Sequence, residues 1–221
     1  WSRARRAEGR RVGLVATMGF LHEGHLALVR LAREHCDLVV VSVYVNPAQF
    51  APGEDFQRYP RDLERDLRLL GAAGCDVVFA PERLYTDPLP VEGPRAVAAA
   101  AKQYHQTWVT VERLQAGLCG ESRPVFFRGV ATVVCKLFNI VEPDVSVFGE
   151  KDYQQLCVVR QMVHDLDFDI EVIGGPLVRE PDGLALSSRN ALLSPADRAK
   201  APGIYRALRA AAAMVERGVA S

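Results

Sequence analysis

The stretch Thr17-Met18-Gly19-Phe20-Leu21-His22-Glu23-Gly24-His25 decides the fold, because it joins a short apolar run to a segment with helical spacing. The apolar run, residues 12–16, predicts a buried strand. Residues 24–36 carry apolar side chains at the period of an α-helix. A strand that leads directly into a helix is the repeating unit of a parallel α/β sheet.

The same alternation continues along the chain and defines its domains. Further strands are predicted at residues 38–45, 76–80, 145–148 and 169–173, and further helices at 60–73, 129–141 and 152–166. The pattern indicates α/β architecture with a doubly wound parallel sheet over residues 1–178, interrupted by a Pro- and Gly-rich insertion at about 84–107. From Pro195 the spacing becomes helical again. We expect a smaller C-terminal domain to begin at residue 179 and to be cut short at Ser221.

Composition argues against several classes of protein. The 221 residues carry a formal net charge of zero, which favours neither a nucleic acid nor a membrane surface as partner. No apolar run approaches the roughly 20 residues that span a bilayer. The five cysteines are odd in number and lack Cys-x-x-Cys spacing, so we expect buried, reduced thiols rather than a disulfide scaffold. These features predict a cytoplasmic protein, although the basic residues 1–6 leave an organelle possible.

His22-Glu23-Gly24-His25 predicts an anion site at a strand-to-helix turn. A helix start offers free N–H groups and a partial positive charge, and a glycine allows a phosphate to approach the backbone. Both histidines can donate hydrogen bonds to phosphate oxygens. A zinc protease would need His-Glu-x-x-His with the histidines four apart, and here they are three apart. Two histidines that only cap the helix remain an alternative for this motif alone.

Three other polar segments follow predicted strands or lie in predicted loops. They are Val45-Asn46-Pro47-Ala48-Gln49-Phe50, Gly149-Glu150-Lys151-Asp152-Tyr153-Gln154-Gln155, and Leu186-Ser187-Ser188-Arg189. Each has an ordinary interpretation as a turn or solvated loop. Because the carboxyl ends of parallel strands share one edge of a sheet, we expect the segments to converge on a single ligand site.

Together these motifs resemble pantothenate synthetase (pantoate–β-alanine ligase), in the order and spacing of that family, from about Val12 to about Asp197. The resemblance implies a Rossmann-like fold of the nucleotidylyltransferase and class I synthetase type. It implies ATP-dependent condensation of pantoate with β-alanine through a pantoyl adenylate, with MgATP as the nucleotide and a homodimer as the assembly. The segment 123–129 and the insertion are similar to the plant version.

The resemblance also assigns roles to residues of this chain. It implies catalytic roles for His25, His22, Lys151, Ser187, Ser188 and Arg189. It implies an ATP site formed by Met18, Gly19, Gly24, His25, Gly149, Lys151, Asp152, Val178, Leu186, Ser187, Ser188 and Arg189. It implies a pantoate and β-alanine site formed by Gln49, Gln155, Asn46, Met18 and Phe50, and a magnesium contact at Asp66.

Two departures and two alternatives bear on this interpretation. Leu186 stands where the family has Met, a swap of similar volume. Phe126 stands where many members have His, so we assign it no polar role. Another nucleotidylyltransferase would lack a reason to carry both Gln49 and Gln155. The other alternative is a binding module of low activity, since a chain that ends at Ser221 would lack the family's lid.

Overall fold

A five-stranded parallel sheet forms the centre of the protein, which the computed structural model describes over residues 1–85 and 105–218. Its strands are β1 Val12–Thr17, β2 Leu38–Val43, β3 Val77–Phe79, β4 Val145–Gly149 and β5 Glu171–Gly175. They are ordered β3-β2-β1-β4-β5, and every neighbouring pair is parallel. This order confirms the predicted doubly wound fold and places its topological switch between β1 and β4.

Helices cover both faces of the sheet. They are α1 Ser2–Ala7, α2 Glu23–His35, α3 Leu63–Ala72, α4 Leu118–Ser122, α5 Phe126–Val141, α6 Tyr153–Asp165, α7 Pro195–Lys200 and α8 Gly203–Glu216. Successive side chains of a strand point to opposite faces, so Leu14 joins the core formed with α5 and α6 while Val15 joins the core formed with α2 and α3. Because the strands are buried on both faces, they read as continuous apolar runs in the sequence.

Helix boundaries differ from the predicted ones for local reasons. The helix predicted from residue 60 begins at Leu63, because the Asp62 side chain accepts a hydrogen bond from the Arg65 N–H at 3.0 Å and caps it. The helix predicted from Gly129 begins three residues earlier, at Phe126. Residues 188–192, expected to be a loop, form a short 3-10 helix.

The cysteines are free, as predicted, but they are not all buried. Cys36 is buried, whereas Cys119 is exposed near the start of α4. Most of the predicted insertion at 84–107 lies outside the described residues. Within the described part of the chain, no helix combines the length and apolar character that crossing a membrane requires.

Candidate functional site

A cavity of about 410 Å³ opens where β1, β2 and β4 end. This edge is where open α/β sheets bind ligands. The predicted site residues that line it are Met18, His22, His25, Asn46, Gln49, Lys151, Asp152, Gln155, Ser187, Ser188 and Arg189. The structure thus brings residues from all four sequence motifs around one cavity.

The turn between β1 and α2 is held by Asp66. Its two carboxylate oxygens accept hydrogen bonds from the Phe20 and Leu21 N–H groups, each at 2.7 Å. The Asp66 side chain is 1% exposed and is not among the residues that line the cavity. The backbone takes a left-handed conformation at Gly19 (φ 78°) and Phe20 (φ 50°), which this clamp maintains. The geometry therefore gives Asp66 a role in shaping the turn, and its assignment as a magnesium contact stays a prediction.

The two histidines stack at the first turn of α2. Their ring centroids are 4.0 Å apart. Burial, followed by the charges of Lys151 and Arg65, lowers the pKa of His22 to about 4. Burial, followed by the charges of His22 and Lys151, lowers the pKa of His25 to about 3. Both rings are consequently neutral near pH 7 and act as hydrogen-bond donors without carrying a charge.

Hydrogen bonding fixes which His25 nitrogen faces the ligand. The His22 backbone N–H donates to Nδ1 of His25 at 3.3 Å, so the neutral ring carries its proton on Nε2. Nδ1 of His22 is buried and has no partner within residues 1–85 and 105–218. A Cβ on Gly24 would lie 3.0 Å from the His22 ring, so glycine lets that ring fold over the helix start. Gly24 supports the histidine pair and does not itself line the cavity.

An amide network forms the wall after β2. The Asn46 side chain donates to Gln49 Oε1 at 2.9 Å and to the Gly129 carbonyl at 3.0 Å. Gln49 Nε2 then lies 3.2 Å from the Met18 sulfur, beside the open cavity. Asn46 is 1% exposed and has both amide hydrogens engaged, so its geometry suits orientation of Gln49 rather than direct contact with a ligand.

The segment 187–192 closes another side of the cavity. Ser188 Oγ donates to the Phe20 carbonyl at 3.1 Å, which ties this segment to the β1–α2 turn. Arg189 pairs with both oxygens of the Asp55 carboxylate, at 2.7 and 3.2 Å, and lies over the Tyr59 ring. Hydrogen bonding to Arg189 lowers the pKa of Asp55. A guanidinium has five N–H donors, so this pairing leaves others for a phosphate.

Lys151, Asp152 and Gln155 form the wall that follows β4. The Lys151 ammonium donates to Asp152 Oδ1 at 3.0 Å, and it also acts on the pKa of both histidines. Asp152 precedes α6 but makes no capping hydrogen bond with its side chain. This wall supplies a cation whose charge lowers the pKa of both His22 and His25.

Besides Asp66, six predicted residues lie near the cavity without lining it. They are Gly19, Gly24, Gly149, Val178, Leu186 and Phe50. The Leu186 N–H donates to the Val178 carbonyl at 3.0 Å, beside a small antiparallel bridge between Arg179 and Ala185. Phe50 is buried against Phe56 and Tyr59. The roles of these six residues in binding ATP or pantoate stay predictions.

Several lining residues were not predicted from the sequence. Tyr59, Arg123, Phe126 and Gln154 all contribute to the cavity. Arg123 is paired with Glu54 at 2.7 Å, and its guanidinium lies 3.9 Å from the centre of the Phe126 ring. None of these four residues was assigned a role from the sequence motifs. For Arg123 and Phe126, the only sequence signal was the similarity of residues 123–129 to the plant version. Phe126 lines the cavity as an apolar surface, in keeping with the absence of a predicted polar role.

The described residues contain no group of three or more His, Cys, Asp and Glu side chains that is placed to hold a metal ion. Mg²⁺ in nucleotide enzymes is held largely by substrate phosphates and water, with only one or two carboxylates. Asp152 is a carboxylate that lines the cavity, and it is 57% exposed. The site therefore suits a metal that arrives with its nucleotide.

Curated relatives from bacteria and plants match nearly the whole chain. A pantothenate synthetase of Heliobacterium modesticaldum is 57% identical over 218 residues, which are 99% of this chain and 73% of the relative. A pantoate–β-alanine ligase of Lotus japonicus is 54% identical and covers 99% of this chain and 75% of its own. Plant proteins are thus among the relatives of this chain, and the bacterial protein is slightly more similar.

Solved structures agree with this similarity. Pantothenate synthetase from Thermus thermophilus is 53% identical with a TM-score of 0.85, covering 98% of this chain and 75% of that one. Pantoate–β-alanine ligase from Francisella tularensis, solved with β,γ-ATP and β-alanine, is 35% identical with a TM-score of 0.80, covering 94% and 76%. The family model described as pantoate–β-alanine ligase matches residues 1–220, and the chain belongs to that family.

Proposed function

We propose that the chain condenses pantoate with β-alanine to give pantothenate, at the expense of ATP. A carboxylate oxygen of pantoate attacks the α-phosphorus of MgATP, and pyrophosphate leaves. The β-alanine amine then attacks the acyl carbon of the pantoyl adenylate, loses a proton, and AMP leaves. The observation that carries the proposal is that one cavity holds both a phosphate-type wall, His22, His25 and Lys151, and the amide pair Gln49 and Gln155.

The phosphate-type wall supplies charge neutralisation. Negative charge grows on the leaving phosphates during attack, and preorganised donors stabilise it best where water is excluded. His25 presents its Nε2–H as a neutral donor, while Lys151 and Arg189 supply positive charge. Met18 and Ser187 complete the surface on which we place the triphosphate, and Gly24 supports the histidine pair from behind it. Mg²⁺ enters with ATP and needs no dedicated cage in the protein.

The amide wall, which contains Gln49 and Gln155, positions the pantoate carboxylate. The first step requires a weak nucleophile, a carboxylate, to be held in line with the phosphorus, and orientation alone lowers such a barrier substantially. We assign Gln49 and Gln155 to pantoate because neutral amides bind hydroxyl and carboxylate oxygens without adding charge. Another nucleotidylyltransferase would have no need for this pair beside the phosphate wall.

We propose that a second, smaller domain begins at residue 179, as the sequence predicts. In α8 no side chain is buried, and Ile204 and Val215 are 70% and 74% exposed. We propose that this helix belongs to a unit that packs over the nucleotide and excludes water. We also propose a homodimer, which sedimentation equilibrium of the purified protein would test.

Release of AMP tests the reaction. The chain supplied with MgATP, pantoate and β-alanine should release AMP only when all three are present, whereas a binding module would release none. His25→Ala should abolish pyrophosphate release with ATP and pantoate while leaving the circular dichroism spectrum unchanged. Full activity in that variant would refute the role given to His25. Omission of Mg²⁺ should stop pyrophosphate release and therefore AMP release, and chelation should leave the melting temperature of the free protein unchanged.

A further inference from the structure

A hydrogen-bond chain runs from outside the cavity to its amide wall. Tyr85 Oη donates to Asn46 Oδ1 at 2.9 Å, and Asn46 Nδ2 donates to Gln49 Oε1 at 2.9 Å. Gln49 Nε2 ends the chain beside the Met18 sulfur. Tyr85 is 6% exposed and does not line the cavity, so any effect it has on a ligand passes through Asn46.

Two backbone groups make the orientation of the Asn46 amide unambiguous. The Ala48 N–H can only donate, and it donates to Asn46 Oδ1 at 3.2 Å. The Gly129 carbonyl can only accept, and it accepts from Asn46 Nδ2 at 3.0 Å. A flipped amide would face both groups with the wrong polarity. Oδ1 therefore points toward Ala48 and Tyr85, and Nδ2 points toward Gln49.

The polarity of Gln49 follows from that of Asn46. An NH₂ group of Asn46 can be satisfied only by the oxygen of the Gln49 amide, so the Gln49 NH₂ group must face the cavity. Gln49 thus offers a hydrogen-bond donor to the ligand. A donor at this position selects an acceptor oxygen, such as that of a carboxylate or a hydroxyl group.

Tyr85 is well placed to hold this arrangement. Its ring packs edge-on against His105, with centroids 4.9 Å apart, and lies 6.5 Å from the Trp108 ring. Burial, followed by the nearby Tyr44, raises the pKa of Tyr85, so the phenol keeps its proton and remains a donor throughout the working pH range. The packed ring and the protonated hydroxyl together leave Asn46 Oδ1 with two donors and no capacity for an alternative partner.

We propose that Tyr85 is a positioning residue for pantoate binding, which acts by holding Asn46 so that Gln49 presents its NH₂ group to an oxygen of pantoate. This rests on the proposed function, in particular on the assignment of Gln49 to pantoate. Tyr85 touches neither substrate. Its removal should affect the pantoate subsite and leave the nucleotide subsite unchanged.

The test is Tyr85→Phe, which deletes the hydroxyl and keeps the ring. We expect the KM for pantoate to rise about five-fold, the effect of one buried neutral hydrogen bond, with the KM for ATP and kcat unchanged. The dissociation constant of pantoate, measured by calorimetry in the absence of ATP, should rise by the same factor. Ser2→Ala, which deletes a hydroxyl on α1, a helix that does not line the cavity, is the control and should change none of these values.

Two results would overturn the proposal. One is an unchanged pantoate KM and dissociation constant in Tyr85→Phe. The other is an equal rise of the pantoate and ATP KM values together with a lower melting temperature, which would show a general structural role. Gln49→Leu separates this inference from the proposed function. If Gln49→Leu leaves pantoate binding intact, the assignment of Gln49 fails; if it weakens binding while Tyr85→Phe does not, only the role of Tyr85 fails.

Discussion

Replacing Gly129 with Ala should displace the turn that carries Gln49. A Cβ at residue 129 would lie 2.5 Å from the Ala48 carbonyl oxygen and 2.6 Å from the Gln49 nitrogen. Ordinary contact needs about 3.5 Å, so the backbone of the turn or of α5 must move by about 1 Å. These neighbours are main-chain atoms, which cannot rotate aside. The change therefore affects the amide wall directly.

The magnitude follows from two opposing terms. Overpacking of a tight contact costs about 1–3 kcal/mol, and Gly→Ala inside a helix regains up to about 1 kcal/mol. We expect a net loss of about 1–2 kcal/mol, which lowers the melting temperature by roughly 2–8 °C for a chain of this size. A 1 Å displacement of a positioning group costs up to about a hundred-fold in rate, so kcat/KM for pantoate should fall roughly ten-fold or more. Thermal unfolding and initial-rate kinetics measure both effects.

Gly71→Ala is the matched control. Gly71 also lies in a helix, but a Cβ there meets nothing within 4 Å. That variant should be unchanged or more stable by up to about 1 kcal/mol, with wild-type kinetics. If Gly129→Ala keeps the wild-type melting temperature and kcat/KM for pantoate, the close approach of α5 to residues 48–49 does not position the site.

Two further perturbations test the charges around the cavity. His22 and His25 have pKa values of about 4 and 3, below the value of about 6.5 of an unfolded histidine, so the unfolded chain binds protons that the folded one refuses. The stability that the two neutral histidines contribute is complete above about pH 6.5 and is lost as the pH falls toward 4. The melting temperature of the free protein should therefore fall between about pH 6.5 and 5. His25→Asn should reduce the dependence of the melting temperature on pH in this range. A slope equal to that of the wild type would show that His25 titrates normally. Asp55→Asn removes the charged partner that orients Arg189 and should raise the KM for ATP about five-fold, since charge-assisted bidentate pairs are the stronger ones. A lower KM would instead show that Asp55 competes with the phosphates for Arg189.

The elements of the sheet could be predicted because strand and helix periods are local properties of the sequence. Where the prediction erred, a specific contact decided the outcome. The helix start at Phe126 was missed because Gly129 resembles a helix boundary in sequence, whereas in the structure it is a site of close packing against Ala48. The start at Leu63 depends on a cap by Asp62 that competes with the preference of Pro60 for a first turn.

The site was predictable to the extent that its residues follow strands. His22, Gln49 and Lys151 all lie just beyond strand ends, which the topology brings to one edge. The role of Asp66 in holding the β1–α2 turn could not be predicted in this way, because a carboxylate that binds two backbone N–H groups has the same sequence appearance as one that binds a metal. Tyr85 is brought near the site by long-range packing and not by a motif, so no local pattern could reveal it.

The bond between Asn46 and Pro47 has a consequence for the chemical ageing of the protein. An asparagine deamidates when the nitrogen of the next residue loses its hydrogen and attacks the side-chain carbonyl. The nitrogen of Pro47 carries no hydrogen, so this route is closed at Asn46. Gln49 Oε1 accepts a hydrogen bond from the Asn46 side chain. Conversion of Asn46 to aspartate would replace this donor with a negatively charged oxygen, which cannot donate to Gln49 Oε1. The turn thereby preserves over time the amide whose polarity the site depends on.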